Sequence, residues 1–488
     1  MAIFLKEWWI IGFAIIGHLG TPAEWLQLLK QVEPLGFFPP ETLAVVFSND
    51  TTLFLGRYLN GIQFSGAPTF YHVGLRQSDD GSGGRTLPVG MLMRHGGFFG
   101  GAMMAWQELT QQRETFCCFF ANDLAIGSLR PGRESLSNNN VYAFAMGGAE
   151  IPGTTLSAGV SAFVAGLNGL EGVRLLYFDG GRVEQSGHLS HIRVGLHHAA
   201  PNGAEADLVV LRHRFEMDHT MPPVWIFGED GMPVEQVQRT EHDETHGWAA
   251  QLTYRHPLPA GWTLGARLNG DWKQHPKIPN YDLMQIPRDP GDSQAYRFGI
   301  GIARSYGQAT LGLDVAYEPI DSHTWTDALE DVLVTPPDGG DPVVVVPAGE
   351  MTVENFFRFH NSLVRLGLRR AGDRVDFGMG LAVHTTRYDL DQTDFIAQSQ
   401  RDQQESWSEW TGTLGVGVHF AEFQIRYLGL VTWGTGRPGT DFSGIFRGGA
   451  VDFAALESDF VVAPNGPLTL QEARVVTHQV SILVPLSN

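Results

Sequence analysis

The residues best suited to chemistry are few, and most stand at the wrong spacing for it. Histidine is concentrated, with nine of the 18 lying between His188 and His256. His242 and His246 sit in Glu-His-Asp-Glu-Thr-His, which looks like a zinc-protease signature. That chemistry needs Glu directly after the first His and a helix that brings residues i and i+4 together. Here Asp243 follows, and the segment runs into a strand pattern, where residues four apart are separated by about 13 Å at ~3.3 Å per residue. Such a pair cannot chelate one ion unaided, so a solvated loop is expected and no metal site, with loose surface binding as the alternative. Cys117 and Cys118 are neighbours. They face opposite sides of an extended chain and read as buried apolar thiols. Gly299-Ile300-Gly301 and Gly415-Val416-Gly417 lack the strand–loop–helix context of a phosphate cradle, and there is no nucleophile elbow. No catalytic set and no cofactor is expected; the chain reads as a non-enzyme.

A second set of reactive side chains shares a period of two. Tyr296, Phe298, Ile300 and Ile302 alternate with Arg297, Gly299, Gly301 and Ala303. Val375, Phe377, Met379, Leu381 and Val383 alternate with Asp376, Gly378, Gly380, Ala382 and His384. Such alternation marks strands with two unlike faces. By the same rule Arg193, Thr253, Arg255, Arg267, Asp271 and Arg297 share a polar face with Asp314, Arg365, Asp376, His384 and Arg426. Two readings stand for this face. The charges satisfy one another and stiffen a wall, or they line a water-filled or ligand-accepting lumen.

The elements that position these residues are long. The alternating runs last 10 to 14 residues, whereas strands of soluble proteins typically have about 5–6 and a tilted strand crossing a bilayer needs about 9–11. Short links at His256–Gly261, Ser305–Gln308, Arg370–Asp373 and Ala421–Glu422 alternate with long polar segments at 273–293, 319–356, 389–407 and 435–473. That asymmetry is expected of an outer-membrane barrel with tight periplasmic turns and long external loops. Strands are expected near 140–149, 153–163, 173–180, 186–198, 204–217, 245–256, 261–272, 294–304, 308–318, 357–370, 373–388, 408–420, 422–434 and 474–487. The expected fold is therefore all-β: a transmembrane, antiparallel, up-and-down barrel of about fourteen strands with both ends in the periplasm. Trp248, Trp272, Tyr296, Tyr317, Trp410 and Trp433 fall at strand ends beside long loops; Tyr254, Trp262 and Phe420 fall beside short turns. Two aromatic belts at the lipid–water boundaries are implied.

Composition fits this reading. The chain has 488 residues with 33 Lys+Arg against 53 Asp+Glu, a formal charge of −20, which argues against a nucleic-acid partner. Mean hydropathy is −0.09, as expected where opposed faces cancel. Residues 1–23, with Lys6, an apolar run over Trp8–Gly17 and small residues near Ala23, read as a secretory signal peptide; a buried amphipathic helix is the other reading. Residues 24–139 stand as an N-terminal segment before a barrel over 140–488. Leu43–Ser48, Thr51–Tyr58, Pro68–Gln77, Leu87–Met93 and Thr115–Asn122 within it are strand candidates that would raise the count to 16 or 18; a plug or a small periplasmic domain are the alternatives. Asp79–Arg85 and Ser128–Asn140 read as flexible links.

Long alternating strands, an N-terminal segment and an export signal resemble Gram-negative outer-membrane barrels, and by architecture the FadL-like family. That family's Asn-Pro-Ala motif is not found, and the strand over Val475–Asn488 carries Pro485 and lacks a terminal aromatic. The resemblance implies a channel or transporter for a small, hydrophobic solute, residence among outer-membrane lipid and insertion by the barrel-assembly machinery. The long external loops support another role, as surface receptor, adhesin or assembly subunit.

Overall fold

The structure, a computed structural model, describes residues 69–75, 81–95, 97–115, 132–169, 184–220, 224–227, 233–237, 240–274, 291–328, 331–334, 341–396, 398–421, 423–434, 437–439, 469–471 and 473–483. The expected export signal, the candidates Leu43–Ser48 and Thr51–Tyr58, the expected strand 173–180 and the cysteine pair lie outside these residues.

Seven strands open the described chain: β1 (Thr69–Leu75), β2 (Gly81–His95), β3 (Phe98–Thr115), β4 (Gly132–Glu150), β5 (Leu156–Leu167), β6 (Glu184–Ala199) and β7 (Glu205–Thr220). β8 (Val224–Phe227) and β9 (Pro233–Val237) form a small hairpin, followed by β10 (Thr240–Leu258), β11 (Trp262–Gln274), β12 (Gly291–Tyr306) and β13 (Ala309–Asp327). A second hairpin, β14 (Val332–Val334) with β15 (Val343–Val346), precedes β16 (Met351–Arg370), β17 (Val375–Asp394), β18 (Ser399–His419) and β19 (Gln424–Gly434). β20 (Arg437–Gly439) pairs with β21 (Thr469–Gln471), and β22 (Ala473–Leu483) comes last. Apart from the three hairpins, the other sixteen strands hydrogen-bond antiparallel in chain order, and β22 pairs back onto β1 to close the ring. Closure leaves no unpaired edge.

At one end of the ring the links are 96–97, 151–155, 200–204, 259–261, 307–308, 371–374 and 420–423, each of two to five residues. The tightest of these after β12 uses Gly307 at φ 59°, the left-handed backbone that a two-residue hairpin demands. At the other end the links include 116–131, 168–183, 221–239, 275–290, 328–350 and 435–472.

Several sequence expectations are corrected here. Residues 389–407 are not a long loop: β17 runs to Asp394 and β18 starts at Ser399, with Gln398 left-handed at φ 49° in the turn. Gly81–Arg85 of the expected link belongs to β2, and 132–140 of the second link belongs to β4. The ring has sixteen staves, one of the counts expected if residues before 140 add strands to the fourteen, and three of them (β1, β2 and β3) are supplied by residues before 116. One physical cause accounts for the loop and link differences. The strands continue for several residues past the point where their outward face stops being apolar, so hydropathy no longer alternates although the ladder does. These extensions are held by polar contacts such as Arg358 with Asp391 and Gln404 with Asp389. The stretch Val89–Trp106, interrupted by Arg94 and His95, is divided between β2 and β3, which pair as a hairpin.

Candidate functional site: the inner wall of the ring

Alternation decides which side chains share a face, and burial shows which face is inside. Along β6 the outward Ile192 and Val194 are 59% and 60% exposed, while Arg193 and His197 between and beyond them are buried. Along β12 and β13 the outward Ile300, Ile302, Leu311 and Leu313 are exposed and Asp314 is buried. This inverts the usual globular arrangement, in which apolar side chains are inside.

All eleven residues assigned to one polar face lie on the buried side or are half-buried there. Arg193, Arg267, Asp271, Asp314, Asp376 and Arg426 are buried. Thr253, Arg255, Arg297, Arg365 and His384 are half-buried. They form local groups rather than one cluster, because the register spreads them around and along the ring. Arg255 pairs with Glu205 at 2.7 Å. Arg297 pairs with Glu318, which also accepts from Asn361 at 3.2 Å. Arg267 donates to Gln251 and to Asn269. Asp314 stands opposite Arg365 in the β13–β16 register. His384 lies 4.0 Å from Glu409.

The tightest group was not foreseen as a group. Gly247 of β10 is the register partner of both His213 on β7 and Lys273 on β11. With no side chain between them, His213 reaches across to Asp271, Nε2 to Oδ1 at 3.1 Å, and Lys273 Nζ lies 3.1 Å from Asp271 Oδ2. A Cβ at Gly247 would lie 2.2 Å from the Trp272 carbonyl oxygen and 2.8 Å from His213 Nε2, so the glycine is required for the close approach. His191 pairs with His213 across β6–β7, their rings 6.1 Å apart, and packs on Phe163 at 5.5 Å. The same device recurs nearer the short-turn end. Gly417 pairs with both Asp376 and Arg426, and His419 Nε2 lies 2.9 Å from Asp376. The alternation that marks Asp271 also marks Lys273, and the one through Asp207 and Leu211 reaches His213. Register across three strands was the missing signal. A cavity with room for ordered water opens beside this group, lined by Arg193, Gln251, Asn269, Asp271, Arg297 and Glu318 among others.

Toward the long-link end the inner face mixes apolar side chains with polar ones such as Thr245, Ser293, Ser322 and Thr324. Phe163, Leu189, Phe215 and Met217 on one side of the ring, and Ile320, Phe357 and Phe359 on the other, are all under 2% exposed.

The outward aromatics stand in two rows. Trp248 pairs with Trp272 in the β10–β11 register, Trp272 Nε1 donates to Tyr296 Oη at 3.4 Å, and Trp410 pairs with Trp433. Tyr317 meets His360 at 2.7 Å. Tyr254 is outward and exposed, Trp262 is half-buried, and Phe420 stacks on Phe423. Trp106, Phe98 and Tyr306 are exposed aromatics that the sequence reading left out.

Beyond the Trp248 row the outward face is polar. His242 and His246, four residues apart on β10, have separate partners: Asp218 at 2.8 Å and Gln274 at 2.8 Å. The hydrogen bond to Asp218, helped by the charges of Glu244 and Glu216, raises the His242 imidazole above its ordinary value of 6.5. A base raised on folding stabilises the fold below the unfolded value and loses that contribution as pH rises through the folded value. Asp218→Asn is expected to lower the His242 pKa, read by NMR titration of ring-labelled histidine; an unchanged value would remove Asp218 as its partner.

No protein-family model matches the chain, and no curated protein matches it. Among solved structures, the chain is similar to a FadL homologue from Pseudomonas aeruginosa, with a TM-score of 0.36 and 10% identity over 98% of this chain and 100% of that one. It is similar to the toluene transporter TbuX from Ralstonia pickettii, with a TM-score of 0.32 and 10% identity over 99% and 100%. It is also similar to the FrpB iron transporter (F3-3 variant) from Neisseria meningitidis, with a TM-score of 0.32 and 8% identity over 87% and 82%. At such identities and TM-scores, the functional reading rests on this chain's own residues.

Proposed function

We propose that the protein is an outer-membrane β-barrel that passes a small solute through its interior. The observation that carries this reading is the reversal of burial: apolar side chains exposed outward, as Ile192, Val194 and Ile300 are, around polar and charged side chains buried inward. Monomers in water rarely expose contiguous apolar patches beyond a few hundred Å², and the outward apolar side chains described from β3 to β19 far exceed that. Its height also supports the reading. Trp262 and Trp272 stand ten residues apart on β11, about 33 Å along the strand at ~3.3 Å per residue. At the ~40° tilt usual for membrane barrels this becomes about 25 Å, the usual height of their apolar band.

In this reading the end with two-to-five-residue links faces the periplasm and the end with long links faces outward. The solute then meets an inner wall that mixes apolar side chains, as at Phe163, Phe215, Phe357 and Phe359, with ion-paired groups around Asp271 and Glu318. That mixture suits a small apolar or amphiphilic molecule rather than a simple ion, because the wall's cations and carboxylates already compensate one another.

The test uses the full chain folded into phospholipid vesicles. Expected results are a folded species that migrates differently unheated and heated in detergent gels, and vesicle uptake of small solutes that falls with solute size. Failure to insert would overturn the membrane reading. Insertion with no flux of any solute would overturn the transport reading and leave a role for the long outer segments.

A further inference from the structure

Among the described residues, Arg212 and Arg304 stand on the outward face over tryptophan rings and without a carboxylate partner. Arg212 on β7 is exposed, and its guanidinium lies over the Trp248 ring at 5.5 Å from the centroid. Its register partners are Ile192 and Trp248, and the outward neighbour before it is Val210. Arg304 on β12 is exposed and lies over Trp262 at 5.1 Å. Its register partners are Trp262 and Leu311, and its outward neighbours on β12 are Ile302 and Tyr306. Neither arginine has a carboxylate partner among the described residues. This contrasts with the polar extensions, where Arg214 lies 3.0 Å from Glu244 and Arg358 is paired with Asp391.

The two pairs occupy opposite edges of the apolar band. Arg212 is aligned with Trp248, and Trp248 with Trp272; Arg304 is aligned with Trp262. The two levels are therefore ten residues apart on β11. A guanidinium drawn over an interfacial indole by the ring's negative face still has N–H donors to offer to another partner. It has the fork that binds phosphate oxygens in two-point contact. At the edge of an apolar band, the anion within reach of such a fork is the phosphate of a lipid headgroup.

We infer that Arg212–Trp248 and Arg304–Trp262 are two clamps for lipid phosphate, one on each leaflet. The inference rests on the membrane reading. Each arginine supplies the charge and the hydrogen bonds, and each tryptophan sets its orientation. The clamps hold the barrel at a defined depth.

The test compares lipid retention by native mass spectrometry of the full chain released from detergent micelles. The probes are dioleoyl-phosphatidylglycerol and a phosphate-free galactosyl diacylglycerol. The wild-type barrel is expected to retain the phospholipid over the galactolipid by about tenfold per clamp, the factor that ~1.4 kcal/mol represents. Arg212→Gln with Arg304→Gln is expected to bring the ratio near one. Arg304→Lys, which keeps charge but loses the flat fork, is expected to fall between. Both side chains are exposed, so the wall does not depend on them; the single variants provide the same readout should the double variant fold poorly. Equal retention in wild type and variants, in a barrel that inserts into vesicles, would overturn the clamps alone. Failure of the wild type to insert would overturn the membrane reading beneath them. Displacement of the lipid by millimolar inorganic phosphate would show a site for free phosphate and overturn the lipid assignment.

Discussion

Replacing Asp271 with alanine is expected to lower the unfolding free energy of the vesicle-folded barrel by about 3–5 kcal/mol, the usual loss when one partner of a buried ion pair is removed. Asp271 is 5% exposed, and the Lys273 ammonium beside it is 8% exposed. Without the carboxylate, that ammonium is left buried with its compensating charge gone, and His213 Nε2 loses its partner. The cost is the desolvation of the survivors more than the value of the bonds lost. Two further variants separate these terms. Asp271→Asn keeps a hydrogen-bond acceptor for His213 and is expected to lose less. Asp271→Ala combined with Lys273→Met removes both charges and is expected to recover most of the loss, since an apolar pair of similar volume often matches a buried ion pair. Urea unfolding followed by tryptophan fluorescence measures all three. A loss below about 1 kcal/mol for Asp271→Ala would mean that the group is watered, like a surface salt bridge.

The second large effect lies on the other face. Ile300 is 65% exposed in the middle of β12, four residues from Arg304 at the band edge. An arginine there is expected to cost about 2–4 kcal/mol in a bilayer, the depth-dependent penalty for a charge at the midplane of a barrel. On a water-exposed strand the same change is worth within about ±0.5 kcal/mol. Tyr306, 81% exposed near the short-turn end, is the internal control, with an expected cost of about 0–1 kcal/mol for arginine at the interface. If Ile300→Arg and Tyr306→Arg behave alike, the outer face does not meet lipid.

Where the alternation of apolar and polar residues is strict, the strands were legible from the residues alone, as in β12, β13 and β16. The reason is local. In a strand the side-chain period is two whatever lies around it, and an outward face of one character imprints that period on hydropathy. Where both faces are polar the imprint fades. Asp389 and Asp391 alternate in space with Leu390 and Gln392, yet as a string they read as loop. β4 begins in Gly132-Arg133-Glu134-Ser135, which has the composition of a linker and the geometry of a stave. Before residue 116, the candidates Pro68–Gln77 and Leu87–Met93 fall on β1 and β2, whereas β3 was concealed in a Gly-rich, mixed segment.

The candidate site divides in the same way. Its membership was legible, because each strand's polar face follows from its own sequence. Its grouping was not, because the partner of a residue is set by register with neighbours far along the chain. Asp271 stands 58 residues from His213, and only the alignment of both His213 and Lys273 on Gly247 brings the three together. The sequence by itself determined the two faces of each strand, the turn chemistry at one end of the ring and the balance of charge within the wall. The tertiary structure alone decided how many strands close the ring, which charges meet across it, and which arginines are left facing outward without a partner. Those outcomes depend on long-range hydrogen-bond register, to which local periodicity is blind.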